Sequence, residues 1–338
     1  MTSLFARGSM AMTLALALGA SVEAKTMPAA TTAVWIDTDP SVSSAASKEV
    51  DDGFALVQAF HSPELEIRGV SIVFGNAPLE QAWPIGREIV RRFGPAGLAV
   101  HAGAAQAAQL GEETDASRAL AAALRREKLT VLALGPLTNV ATVLKNHPEL
   151  SHKIVSLVAV AGRRPGQQFR ATSSQATPFR DLNFELDAPA FRVLIEADVP
   201  LVLAPWEVSS KVWLNEADLQ RMENGGAAAR WLVEPARRWL RVWQQDFGAD
   251  GFNPFDTLAV GYVTSPHLIE CEDLPATIEM LPDDAGGAPT RAATTKRKPY
   301  LLVGREIRST RIVSYCFNPA PGFKEDLMTR LLRRSGAG

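Results

Sequence analysis

Cysteine is scarce in this chain. Cys271 and Cys316 are the only two in 338 residues, too few for a disulfide framework or a cysteine zinc site. One bridge in an oxidising compartment and a pair of buried thiols both stay open. Long apolar runs are missing as well. A membrane-spanning helix needs roughly 20 consecutive apolar residues, and the N-terminal run Met10 to Ala20 falls well short of that. Charge of one sign is also lacking: the net charge is −2, and the basic clusters Lys296-Arg297-Lys298 and Arg330 to Arg334 are short and free of interleaved aromatics. That argues against a nucleic-acid partner. No Pro/Gly/Ser-rich linker, charge block or internal repeat divides the sequence, so one domain is expected.

At 46% hydrophobic and 21% charged residues, the chain can bury one sizeable core. The first two dozen residues stand apart. Arg7 precedes the apolar run, and Val22-Glu23-Ala24 has the small-x-small pattern of a cleavage site. Residues 1–24 are therefore expected to be a cleavable signal peptide. The mature protein, residues 25–338, is expected in the periplasm or outside the cell, without a membrane anchor.

Short runs rich in Val, Ile and Leu alternate with longer amphipathic stretches. Ala33 to Ile36, Ile67 to Phe74, Thr130 to Leu134, Ile154 to Val160 and Val199 to Leu203 read as strands buried on both faces. Helical patterns lie between them at Leu79 to Phe93, Ser117 to Arg126, Leu137 to Leu144 and Ala188 to Glu196. The alternation predicts an α/β fold with a doubly wound, mainly parallel sheet flanked by helices. Ligands of such a sheet gather at the carboxyl ends of its strands. Farther on, Trp231, Trp239 and Trp243 sit in a helical stretch, Ala227 to Gln245, and are expected to pack it onto the sheet or a partner. The segment after Glu270 is expected to hold a strand pair and a terminal helix.

The strand Ala33 to Ile36 runs into Asp37-Thr38-Asp39-Pro40, and a second acidic pair, Asp51-Asp52, opens the helical stretch Gly53 to Phe60. Four carboxylates so close cannot all ionise without a compensating cation. Carboxylate oxygens are hard ligands, which points to Ca²⁺ or Mg²⁺. Helix capping and turn hydrogen bonds are the plainer reading of the same aspartates. Gly135 to Asn139 after a strand, Asp181-Leu182-Asn183 in a loop and Asp256 at a late helix start add polar groups that tilt the balance toward a site.

With those segments in hand, the chain resembles the inosine-uridine-preferring nucleoside hydrolases, whose signature is Asp-x-Asp-Pro-x-x-Asp-Asp on the first strand. The matching residues are Asp37, Asp39, Asp51 and Asp52, followed in family order by Gly75-Asn76, Gly135 to Asn139, Asp181 to Asn183 and Asp256. The resemblance implies a calcium-dependent N-ribohydrolase that cuts a small-molecule nucleoside into free base and ribose. It implies calcium ligation by Asp39, Asp52, Asp256 and the Leu134 carbonyl, with Asp39 also the general base. By the same resemblance, Asp51, Asn76, Asn183 and Asp256 face the sugar, Asp181 replaces a glutamate at the 5′-hydroxyl, Gln175 stands near it, and Asp37 supports the ligands. A homodimer or homotetramer is implied too.

Two departures from the family pattern matter. Ten residues, Ser41 to Val50, separate Pro40 from the acidic pair where the family has two. Loop closure grows costly only slowly with length, so the pair can still return to the site. Phe255 stands where some members carry a histidine that protonates the leaving base, and none of the five histidines lies in a motif. An exported nucleoside- or sugar-binding protein of the same fold without catalysis is the alternative. A phosphatase built on Asp-x-Asp fits less well, because proline follows Asp39 and the acidic pair comes too early.

Overall fold

The computed structural model describes residues 31–45, 49–284 and 296–334. The expected signal peptide lies outside the described residues. From the N-terminal end come β1 (Thr32–Thr38), α1 (Asp51–Phe60), β2 (Leu65–Ile72), α2 (Leu79–Phe93), β3 (Val100–Ala102), α3 (Asp115–Arg126), β4 (Leu129–Ala133) and α4 (Thr138–Asn146). Then follow β5 (Ile154–Ala159), α5 (Leu182–Leu186), α6 (Ala188–Glu196), β6 (Leu201–Leu203), α7 (Trp206–Ser209), α8 (Glu216–Glu223), α9 (Ala227–Val242) and α10 (Thr257–Thr264). The last elements are β7 (Ile269–Pro282), β8 (Arg297–Val303), β9 (Ile312–Pro319) and α11 (Phe323–Leu331).

Among the described residues, nine strands form one sheet in the order β3-β2-β1-β4-β5-β6-β9-β7-β8. Pairing is parallel from β3 through β9, and antiparallel from β9 to β7 and from β7 to β8. The C-terminal segment thus contributes three strands, not a pair. The sequence hid them because β7 intersperses buried Leu274 and Ala276 with exposed or half-buried residues, as an antiparallel strand with one wet face does.

Every residue of β4 is buried, as a central parallel strand with helices on both faces requires. Along β1, the two-residue period sends Val34 and Ile36 into one core and Trp35 into the other. The first core is closed by α1, α2, α9, α10 and α11, the second by α3, α4 and α6. Each fully buried Ile or Leu in these layers contributes about 1.5–3 kcal/mol of transfer free energy. Cys271 of β7 and Cys316 of β9 are joined as a cross-strand disulfide.

The winding reverses between β1 and β4: the chain steps outward from β1 to β3, then returns to β4 and proceeds the other way. Loops leaving the carboxyl ends of these two neighbours part to opposite faces and leave a crevice. Asp37-Thr38-Asp39 ends one of them and Leu134-Gly135 follows the other.

Candidate active site

Two helix starts converge on that crevice. α1 begins with Asp51 and Asp52 in its first turn, two residues earlier than the hydrophobic pattern suggested, and Asp256 directly precedes α10, which packs on α1. Helix N-termini favour anions, but the carboxylates here also meet one another. One oxygen from each of Asp51, Asp52 and Asp256 lies within 4.8 Å of the others, and all three residues are buried.

Asp39 adjoins this trio. Its backbone N–H donates to Oδ1 of Asp52 at 3.0 Å, and the Thr38 hydroxyl donates to the same oxygen. The other Asp52 oxygen accepts from Nδ2 of Asn76 at 3.1 Å, while the Asn76 backbone N–H donates to Oδ2 of Asp39 at 2.6 Å. Oδ1 of Asp39 is buried without a hydrogen-bond partner. Room for this carboxylate depends on two glycines. A Cβ on Gly75 would stand 1.9 Å from Oδ2 and one on Gly135 2.5 Å from Oδ1.

Burial raises the pKa of Asp39, Asp51 and Asp256 well above the carboxylate range, and mutual repulsion adds to it. Asp52 is raised by burial as well, against the hydrogen bonds from Thr38, Asp39 and Asn76. Buried carboxylates in this state call for a cation. An all-oxygen, all-carboxylate donor set fits a hard divalent ion rather than zinc. Asp37, one period along β1 from Trp35, serves the opposite side. It accepts from the Ser71 hydroxyl and from Asn139 Nδ2, the latter at 2.9 Å, and burial pushes it up to about 7.

Above the carboxylates opens a cavity of about 230 Å³. Asp51, Asn76, Leu134, Asp181, Asn183 and Asp256 line it, whereas Asp39 and Asp52 stand behind that wall, joined to it through Asn76. The Leu134 carbonyl accepts from Asn183 Nδ2 at 2.6 Å, so one of its lone pairs is taken. Asp181 accepts from the Gly162 N–H at 2.9 Å; burial raises it to about 6, against the pull of the Arg163 guanidinium and that N–H. Gln175 does not line the cavity. Its amide is spent inside its own loop, accepting from Ala171 N–H and donating to the Thr177 carbonyl, both at 2.7 Å.

Six aromatic residues, Phe169, Phe179, Trp206, Trp239, Trp243 and Phe255, make up much of the remaining wall, beside Glu49, Val160, Ala161, Arg180 and Leu182. Their rings interlock, with centroids 5.2 Å apart for Phe179 and Trp206 and 5.7 Å for Trp206 and Phe255. The three tryptophans of the helical stretch divide. Trp231 packs against Phe93 of α2, while Trp239 and Trp243 face the cavity.

The model of the inosine-uridine preferring nucleoside hydrolase family matches residues 34–314. The chain belongs to this family. Within it, the chain is 26% identical over 265 residues to the pyrimidine-specific ribonucleoside hydrolase RihA of Klebsiella pneumoniae, a match covering 70% of this chain and 80% of that relative. A RihA of Salmonella typhimurium is 24% identical over 249 residues, covering 64% of this chain and 77% of the relative. Among solved structures, a plant nucleoside hydrolase superposes with a TM-score of 0.72 at 16% identity, covering 89% of this chain and 99% of that one. A purine-preferring ribonucleoside hydrolase from Gardnerella vaginalis gives 0.69 at 19%, covering 89% and 98%. These two share the nucleoside hydrolase fold.

Sequence reasoning missed Phe169, Phe179, Arg180, Trp206 and Glu49 of this nucleoside hydrolase's cavity wall. Trp206 was within reach, since it closely follows β6 at a strand's carboxyl end. Phe169 and Phe179 pair across a loop, Phe179 N–H donating to the Phe169 carbonyl at 2.7 Å, and no local pattern announces that pairing.

Proposed function

We propose that this protein hydrolyses the N-glycosidic bond of ribonucleosides to free base and ribose, using calcium and an aspartate general base. The observation that carries the reading is Oδ1 of Asp39, a buried carboxylate oxygen with no hydrogen-bond partner beside three converging carboxylates. Asp51, Asp52 and Asp256 would hold the ion, with the remaining lone pair of the Leu134 carbonyl as a further donor. Bound there, calcium supplies the positive charge that keeps the carboxylates ionised and lowers the pKa of a neighbouring water.

Asp39 sits outside the close trio, and its Oδ2 is already held by Asn76. Its Oδ1 is left to take the proton from the attacking water as the ribosyl ring gains oxocarbenium character. Asp51, Asp256 and Asn183 orient the ring hydroxyls, and Asp181 faces the 5′ side. The aromatic wall receives the base and excludes water from the reacting bond. Among the described residues no histidine lines the cavity, so protonation of the leaving base falls to another donor.

The experiment is release of free base from a nucleoside panel, with calcium and with a chelator. Calcium-dependent release supports the reading. Tight nucleoside binding without release from any member favours the non-catalytic alternative. Export forms a separate part of the proposal, supported by the Cys271–Cys316 bridge, which persists in oxidising compartments. N-terminal sequencing of protein from the cell envelope or medium tests it; a chain that still begins at Met1 contradicts it.

A further inference from the structure

Behind Asp181 the chain leaves β5 through Gly162 into Arg163, an arginine buried almost completely. The Gly162 N–H holds Oδ2 of Asp181 at 2.9 Å. The Arg163 backbone is bonded to β8, its N–H donating to the Leu301 carbonyl at 3.0 Å and its carbonyl accepting from the Val303 N–H at 2.9 Å. Its guanidinium lies against two rings, 4.1 Å from the centroid of Phe169, a residue of the cavity wall, and 5.0 Å from that of Tyr300. Nη1 donates to Asp284 at 2.8 Å. Nη2 stands 3.7 Å from Glu185, which in turn accepts from the Asp181 N–H at 3.2 Å. Nε and Nη2 are buried without a hydrogen bond among the described residues, so the cation is not spent on one carboxylate.

We propose that Arg163 is a positioning residue that acts through Asp181: its buried cation keeps Asp181 an ionised acceptor for the 5′-hydroxyl, and so sets the preference for a sugar that carries this hydroxyl. The proposal rests on the reading that places Asp181 at the 5′ side of the sugar. Among the described residues, Arg163, Arg180 and Lys298 face Glu185, Asp283 and Asp284 in one ion-pair network. Asp181 adds a further negative charge beside it. A buried carboxylate in such company takes up a proton unless a cation opposes this. Burial pushes Asp181 up to about 6, and Arg163 is the largest influence in the other direction, ahead of the Gly162 N–H and Lys298, while Glu185 adds repulsion. Tyr315 also faces Asp181, but its hydroxyl donates to Glu207 and stays protonated. An ionised carboxylate holds a hydroxyl more strongly than a neutral carboxyl does.

The test is the ratio of kcat/KM for uridine to that for 5′-deoxyuridine, measured across pH in the wild type, Arg163→Gln and Arg163→Lys. Groups that act on both substrates alike, Asp39 and the cation ligands among them, cancel in this ratio. The wild type should favour uridine by roughly 10- to 100-fold, the range for a hydrogen bond to a charged group, and lose that preference below about pH 6. In Arg163→Gln the pH of half-loss should rise by about 1–3, the effect of a neighbouring arginine on an aspartate, with the preference restored in alkaline buffer. Arg163→Lys, which keeps the charge, should stay near the wild type. A preference lost at every pH in Arg163→Gln marks a merely structural residue and overturns the proposal. So do a profile in Arg163→Gln that coincides with the wild type, and a lysine variant that loses the preference as glutamine does. A wild-type ratio near one removes Asp181 from the 5′-hydroxyl and overturns the underlying reading too, which the other outcomes leave standing. If Arg163→Gln does not fold, the double replacement Arg163→Gln with Asp284→Asn, which takes away the partner charge as well, carries the same comparison. If the wild type releases no base, the ratio of calorimetric Kd values for the two nucleosides decides the role of Arg163.

Discussion

The backbone N–H of Asn76 donates to Oδ2 of Asp39 at 2.6 Å, which fixes the carboxylate and leaves Oδ1 as its unpartnered oxygen. This pairing ties the end of β1 to the loop after β2, two neighbouring parallel strands. The orientation of the proposed base is therefore set by the sheet and not by a flexible loop.

The two glycines that make room for Asp39 should be intolerant of a methyl group. Gly75→Ala places a Cβ at 1.9 Å and Gly135→Ala at 2.5 Å from its oxygens, so the carboxylate must turn away. We expect kcat to fall by at least about 100-fold in each, the scale of a lost general base. Steady-state kinetics on folded variants checks this; activity within a few-fold of wild type would show that the carboxylate need not sit where it does.

Calcium should stabilise the fold more at higher pH. Burial pushes Asp37 up to about 7 and Asp187 up to about 6 from an unfolded value of 3.8. A carboxyl raised in this way gives its full contribution below the unfolded pKa and loses it as pH rises through the folded one. In chelator, these groups make stability fall from about pH 4 to about pH 7. Calcium needs ionised carboxylates, and burial also raises Asp51, Asp52 and Asp256, so its increment in Tm should grow as pH rises. Melting curves near pH 5 and pH 8, with and without calcium, compare the two. A larger increment at the lower pH would contradict the carboxylate cation site.

The disulfide between Cys271 and Cys316 closes a sequence separation of 45 residues between adjacent strands. Constraining the unfolded chain over such a loop is worth about 2–4 kcal/mol. Reduction, or the double replacement Cys271→Ser with Cys316→Ser, should lower the denaturation midpoint without abolishing base release. Mass mapping under non-reducing conditions should show the linked peptides, and free thiols there would refute the bridge.

Trp206 stacks among Phe169, Phe179 and Phe255. Base stacking on an aromatic ring is worth about 1–3 kcal/mol. Trp206→Ala should therefore raise KM for nucleosides by roughly 5- to 100-fold, with calcium affinity unchanged. A KM that does not move would mean that the base lies elsewhere.

The parallel strands and the acidic cluster were legible because the chain declares both locally: β1 and β4 are short apolar runs, Asp37 lies at the end of β1 and Asp39 follows it, and Asp51 and Asp52 open α1. Asp181, Asn183 and Asp256 could be placed only by their order in the family pattern, and the fold brings them to one cavity. Gln175 uses its side-chain amide within its own loop, a pairing that no local sequence pattern announces. The aromatic wall was mostly illegible, since Phe169 and Phe179 reach the cavity through a long-range pairing. Glu49 was hidden in an insertion whose path depends on contacts with α1 and α9.

The central claim, that Asp39 is the base beside a calcium ion held by other carboxylates, meets its most direct test in Asp39→Asn. Base release and calcium affinity should be measured on the same preparation. The account predicts turnover reduced by about 100- to 10,000-fold, the usual span for a general base, with calcium and nucleoside still bound. Undiminished release of base by this variant would contradict it.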